Sequence, residues 1–324
     1  MKRFHGRVPA VFKQGRIDDY LVEWLSAALG KPVTKTKIRS IIMSGSVYVN
    51  RHRSKDPTLM IYSGAAIEVY YDDDRVQIER VQYAAVTLTE SHIVYEDDDL
   101  IVIHKPAGLP TQPTVDASRP NLFDSVKKFL KNRKGISITE PYVGLHHRLD
   151  RDTSGLVLFT KKESANRGVS DLFAQHQIQK TYQCLAARLG NTSTLENNQR
   201  FQIDNYLGKI SKGNEKSKFG SVTSGGDRAI TDFRVTEVFH TGYWFEAKPK
   251  TGRTHQIRVH ASEAGYPLMG DPLYFPKGVF SMIQVPRFML HASHLEFVHP
   301  VTQKMMLIEA PIPQDMINVL ASLR

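Results

Sequence analysis

Three short segments concentrate residues capable of chemistry beside apolar runs: 144–155 (GLHHRLDRDTSG), 180–182 (KTY) and 252–260 (GRTHQIRVH). In the first, Asp150 stands between Arg148 and Arg151, and Thr, Ser and Gly follow before the apolar run GLVLF. That is the composition of a tight loop leading into a strand. A carboxylate between two guanidinium groups is ionised near neutrality and can serve as nucleophile or base. Loop capping and surface ion pairing are the plainer roles for an aspartate, and Asp152, Thr153 and Ser154 are read as residues that hold the loop. In the third segment polar and apolar residues alternate. The pattern predicts a strand with Ile257 and Val259 on one side, and with Arg258 and His260 projecting together on the other. Spacing alone serves an exposed arginine at 258 equally well.

Of the 13 histidines several lie close in sequence, His146, His147, His255, His260, His291 and His294, yet none forms an H-E-x-x-H spacing. Arg148, Arg253 and Arg258 would also repel a dication, so no metal is expected. No glycine loop of the phosphate-cradling or dinucleotide type is present, which leaves nucleotide hydrolysis and hydride transfer without support, and no cofactor is expected.

The elements that must position these residues read as short apolar strands (IVYE, LIVIH, GLVLF, KTYQCLA, DFRVTEVF, YWFEAKP, HLEFVHP) with few helices, at 121–132 and 164–177. This is an α+β pattern dominated by sheet. The stretch 208–228, rich in Gly, Ser and Lys, reads as a mobile loop or insertion. At 324 residues, with 41% hydrophobic and 23% charged residues, two folded domains are the prior. No apolar run approaches the roughly 20 residues that span a bilayer, and the start MKRFHGRVPAVFKQGR lacks a secretory core. The single cysteine, Cys184, allows no internal disulfide, and a cytoplasmic location is expected.

Charge is uneven: residues 1–60 hold 12 Lys and Arg against 4 Asp and Glu, so they carry +8 of the formal +10. A basic module at one end suits a polyanion, although charge alone serves a merely soluble surface as well. Within it, Ile17, Leu21, Trp24, Leu25 and Leu29 predict one helix, and Thr34 caps a second that presents Ile38, Ile41 and Ile42 inward and ends at Gly45. Strands around Val47–Val49 and Ile67–Val69 follow. The segment KTKIRSIIMSGSVYVN resembles an S-four-like RNA-binding domain, with Asn50-Arg51-His52-Arg53 where Asn-Gly-Lys is usual. Lys35, Lys37, Arg39, Arg51 and Arg53 are its candidate RNA contacts. The expected division is 1–75 for this small α/β domain, 76–92 for a linker and 93–324 for the catalytic domain, with the acidic cluster Asp72, Asp73 and Asp74 opening the connection at 72–92.

The string HRLDRDTSG at 147–155 resembles the signature of the RluA-type pseudouridine synthases. YEDDDLIVIHKPAGLP at 95–110, KTY, GRTHQIRVH, GDPLY at 270–274 and MLHASHLEFVHP at 289–300 resemble further motifs of that family, in family order. Phe275, where a glycine is common, and the stretch 208–228 are departures that bear on substrate choice. The resemblance implies a mostly antiparallel central sheet with its cleft across the middle. It also implies that Asp150 attacks a uridine at base carbon 6 or ribose carbon 1, that Arg258 is its cationic partner, and that Tyr182 stacks on the uracil or helps remove the carbon 5 proton. Arg148 and Arg151 would contact phosphate or fill the extruded base's place. The implied partner is RNA, ribosomal RNA favoured over transfer RNA, acted on by a monomer with no obligate protein partner and no membrane. Competing readings are an RNA-binding protein that has lost catalysis and a metal-dependent hydrolase, the latter separable with a chelator.

Overall fold

The computed structural model describes residues 2–43, 45–54, 56–71, 87–113, 119–133, 140–189, 193–211, 218–276 and 285–324. The chain divides between Gln82 and Tyr83 into two compact units. Residues 76–86 of the expected linker, with Asp72, Asp73 and Asp74, lie outside the described residues. Leu88 is buried in the core of the second unit, and Thr89 caps the short 3-10 turn Glu90–His92.

The first unit carries a four-stranded antiparallel sheet, β1 (Lys2–Arg7), β6 (Ala66–Tyr71), β3 (Val47–Val49) and β4 (His52–Ser54) in spatial order. A small ladder of β2 (Gln14–Arg16) with β5 (Met60–Tyr62) and two helices, α1 (Ile17–Leu29) and α2 (Lys35–Met43), complete it. Burial follows the helical period: Ile17, Leu21 and Leu25 of α1 meet Ile38, Ile41 and Ile42 of α2 in one core. The Lys37 amide donates to Thr34 Oγ1, the expected cap, and α1 stops at Gly30, whose φ of 64° is left-handed. Asn50 and Arg51 both have positive φ, 50° and 68°, as the two-residue turn between β3 and β4 requires.

The second unit is built on one large sheet. Its path runs β13 (Phe219–Ser221), β12 (Arg200–Lys209), β14 (Asp227–Val238), β15 (Gly242–Pro249), β11 (Gln179–Ala187), β16 (Leu290–Val298), β10 (Ser154–Thr160), β8 (Leu100–Lys105) and β7 (Ile93–Glu96). β9 (Gly144–Leu145) pairs with β10 and β17 (Met305–Glu309) with β16. Every ladder is antiparallel except β10 with β16, which run parallel through Ser154 and Gly155. Helices α3 (Leu122–Asn132), α4 (Glu163–Ala174), α5 (Gln256–Glu263) and α6 (Gln314–Leu323) cover it. Alternation along the strands sorts them by face: Ile101, Ile103, Val157 and Phe159 join the core that holds Leu122, Val126 and Leu130 of α3. Leu100, Val102, Leu156 and Leu158 point the other way, to Val169 of α4. Among the described residues no helix is long and apolar enough to cross a membrane.

Two expectations change. The 208–228 stretch contains β13 and the start of β14; Phe219 donates its amide to Tyr274 and Ser221 its amide to Glu263, so tertiary partners order a segment without apolar period, while 212–217 lie outside the described residues. Residues 256–263 form helix α5 and no strand. Gln256 through Ala261 are all buried, so no solvent face existed to impose a helical period on the sequence.

Candidate active site

Asp150 lies in the turn that delivers the chain into β10, and neighbouring backbone and side chains hold that turn on every side. Thr153 donates its amide to the Asp150 carbonyl at 3.1 Å, and the Thr111 hydroxyl donates to the Leu149 carbonyl at 2.8 Å. The fully buried Lys105 gives its three ammonium protons to the carbonyls of Pro106, Leu109 and Arg151, at 2.8 to 2.9 Å. Arg287 reaches the Asp152 carbonyl and Ser154 Oγ while pairing with Asp315 of α6. Gly155 ends the turn with φ 121°, and a Cβ there would lie 2.2 Å from the Ala292 carbonyl. Only glycine lets β10 and β16 approach so closely at this point.

The side chain of Asp150 is 24% exposed and faces a cleft of about 430 Å³, within the usual size of a small-ligand pocket. Its Oδ2 accepts from Arg258 Nη1 at 2.9 Å; among the described residues Oδ1 has no hydrogen-bond partner. Arg258 is itself buried and spends its other edge on Asp271, through Nε–Oδ2 at 2.7 Å and Nη2–Oδ1 at 2.9 Å. Asp271, fully buried, also accepts the amides of Leu273 and Tyr274. The guanidinium lies 4.2 Å from the ring centre of Phe288 and 5.1 Å from that of Tyr274. Burial lowers the pKa of Arg258, but the two carboxylates outweigh it and hold the value above the ordinary one.

Tyr182, on β11, lines the same cleft at 9% exposure. Burial, and secondly the charge of Asp150, push its phenol well above the ordinary range, so the neutral phenol is the form that lines the cleft at neutral pH. Arg148 lines the cleft and donates to Thr254 Oγ1 at 3.1 Å. Arg151 does not line it; its side chain pairs with Asp152 and its carbonyl anchors Lys105. His260 does not accompany Arg258: a helix separates alternate residues by about 200°. The His260 ring instead bonds Thr231 and Asn205, and burial lowers it to about 4. Lys35, Lys37, Arg39, Arg51 and Arg53 belong to the first unit. Lys35 pairs with Asp19, Arg39 with the buried Asp18, Lys37 lies over the Tyr71 ring, and Arg53 donates to the Gly45 carbonyl.

Asp271 and Lys105 take part in this constellation without having been singled out from sequence, and His255 was weighed there only as a metal ligand. Their signals were present in GDPLY, GRTHQIRVH and HKPAGLP, but their partners are distant in the chain. Among the described residues no group of three or more His, Cys, Asp or Glu could hold a metal ion.

Comparison with known proteins agrees with this architecture. Residues 99–263 match the family model described as RNA pseudouridylate synthase. The chain is 31% identical over 304 residues to the ribosomal large subunit pseudouridine synthase D of Buchnera aphidicola subsp. Schizaphis graminum, covering 90% of each chain. It is 32% identical over 316 residues to synthase C of Yersinia pestis, covering 95% of this chain and 92% of that one. The structure of human RNA pseudouridylate synthase domain containing 4 superposes with a TM-score of 0.58 at 22% identity, over 77% of this chain and 98% of that one, a likeness of fold. By the family match and by relatives spanning nearly its whole length, the chain belongs to the RNA pseudouridylate synthases and is an RNA pseudouridine synthase.

Proposed function

We propose that the chain isomerises uridines of structured RNA, ribosomal RNA above all, with Asp150 as nucleophile and no cofactor. The observation that carries the nucleophile is the one-sided grip on Asp150: Arg258 holds Oδ2, and Oδ1 is left to form a bond within the cleft. A carboxylate shielded beneath a bound base needs such a charge-assisted partner to offset its desolvation. Attack at base carbon 6 or ribose carbon 1 breaks the bond from ribose to the uracil N1. The base turns, carbon 5 bonds to ribose carbon 1, the bond to Asp150 breaks and returns the carboxylate, the carbon 5 proton leaves and N1 gains one, so atoms balance without redox or phosphoryl transfer. Tyr182 supplies a stacking face for the extruded uracil, worth about 1–3 kcal/mol per stacked base. Arg148, at the cleft rim, contacts the backbone or fills the space the base leaves.

Ribosomal RNA is favoured because relatives that match nearly the whole chain are named for the large ribosomal subunit. The basic first unit acts as an S-four-like module that grips neighbouring RNA, whose shape and splayed bases guide the choice of target. Asp150→Asn is expected to abolish pseudouridine formation while RNA affinity stays within a few-fold, and excess chelator is expected to leave the wild-type rate unchanged. Product at the wild-type rate from Asp150→Asn would remove the aspartate from the mechanism. Pseudouridine mapping across cellular RNA with and without the gene identifies the target.

A further inference from the structure

His255 lines the cleft beside Asp150, and its surroundings fix which of its ring nitrogens carries the proton. Nδ1 lies 2.8 Å from the Tyr274 hydroxyl, which also accepts the Phe219 amide at 3.0 Å. Tyr274 is 7% exposed, and no other acceptor for its hydroxyl proton is found among the described residues. Were His255 to donate from Nδ1, that buried proton would be stranded. If Tyr274 donates to Nδ1, both the hydroxyl proton and the ring nitrogen are satisfied. The neutral ring therefore bears its proton on Nε2.

Nε2 is 3.9 Å from Asp150 Oδ2, too far for a hydrogen bond, so its proton is not spent on the nucleophile. The rings of Phe219 and Tyr274 meet the imidazole edge to face at 5.7 Å each. The backbone of His255 is left-handed, with φ 58°, at the start of α5. Such strain in a residue other than glycine gathers at functional sites. The ionic groups about the ring are Asp150, Arg258, Asp271 and Arg148; burial is the largest influence and favours the neutral form.

We propose that His255 is a second catalytic residue: its Nε2–H donates to a carbonyl oxygen of the bound pyrimidine and steadies the charge that collects there as Asp150 attacks. The inference rests on the Asp150 reading but not on which carbon is attacked. Attack at carbon 6 forms the oxygen–carbon bond and moves the C5–C6 π pair onto O4. Attack at ribose carbon 1 releases uracil with the N1 bonding pair, spread over O2 and O4. Either way a carbonyl oxygen gains negative charge, a neutral N–H donor binds that state more strongly than the ground state, and no proton is consumed. Tyr274 is a positioning residue, acting through the imidazole.

The test measures tritium release from an unmodified large-subunit ribosomal RNA transcript labelled at uridine carbon 5, with kcat and KM separated. Loss of an oxyanion donor costs roughly 10²- to 10³-fold, so His255→Leu is expected to lose that much kcat with KM within about threefold. His255→Gln, which keeps an N–H at similar reach, is expected to lose no more than about tenfold, and Tyr274→Phe about tenfold, again in kcat. Wild-type kcat in His255→Leu, or equal impairment of the Leu and Gln variants, overturns the proposal. If His255→Leu fails to fold, wild-type kcat in Tyr274→Phe does so. Asp150→Asn, run in parallel, separates the readings: activity there fails the nucleophile, whereas an inactive Asp150→Asn beside a fully active His255→Leu fails only the histidine.

Discussion

Arg258 carries one positive charge and meets two carboxylates, and the division of its donors between them sets the chemistry of the site. Asp271 takes Nε and one Nη2 proton, leaving Nη1 for a single bond to Asp150. Without Asp271 the guanidinium could turn and hold both oxygens of Asp150, occupying the one that the proposed mechanism uses for attack. Asp271→Asn is therefore expected to lower kcat about 10²-fold, the scale of a small misplacement of reacting groups, with KM nearly unchanged. It should also cost about 3 kcal/mol in chemical denaturation, the lower end for breaking a buried ion pair, because Arg258 retains Asp150. A proportional rise in KM would show that Asp271 serves binding and not alignment. Asp150 was legible at this scale as an ionised carboxylate because Arg148 and Arg151 are its sequence neighbours, while its reading as nucleophile came from the family resemblance. Asp271 was not, since its partner lies 13 residues away around a helix and turn that no local pattern announces.

Lys105 ties β8 to the Asp150 turn, and its burial gives the connection a pH signature. Removal from water pushes the ammonium down to about 7, against an ordinary value of about 10.4. Between those values the unfolded chain binds the proton that the folded chain has given up, so folding stability rises with pH across the window, is lost as pH falls from about 10.4 to about 7, and changes no further through this group below that. Each tenfold difference in proton affinity is worth about 1.4 kcal/mol, so the gain from pH 7 to 9 is on the order of 2 kcal/mol. Denaturant midpoints of the wild type at the two pH values should show it, and Lys105→Met should flatten it. An equally steep rise in Lys105→Met would assign the effect to other groups. Helix α5 carries the complementary lesson. Its alternating residues predicted a strand, but burial on all sides removed the polar face by which a helix declares its period.

Across the whole molecule, residues 1–60, within the first unit, carry +8 of the formal +10, while the cleft belongs to the second unit. Affinity and chemistry should therefore separate. Replacing Lys35, Lys37 and Arg51 with Gln is expected to weaken RNA binding and flatten the plot of log K against log salt by up to about 2–3, roughly 0.7–0.9 for each phosphate no longer neutralised. The rate at saturating RNA should remain. Lys35 already meets Asp19, so its share falls toward the lower end. An unchanged salt slope would place the RNA-binding surface elsewhere.

The residues of HRLDRDTSG, KTY and GRTHQIRVH, with strands recognisable by apolar runs, determined the family and the α+β class, and they named Asp150, Tyr182 and Arg258 as candidates that the fold brings to one cleft. These are local signals, written in neighbouring residue types. The order of strands, the helical state of 256–263, the ordering of 219–221 and the contacts of Asp271, Tyr274 and His255 were decided by tertiary structure. Each depends on groups brought together across the chain, where burial and a shared hydrogen-bond network select one conformation, one ion-pair geometry and one tautomer.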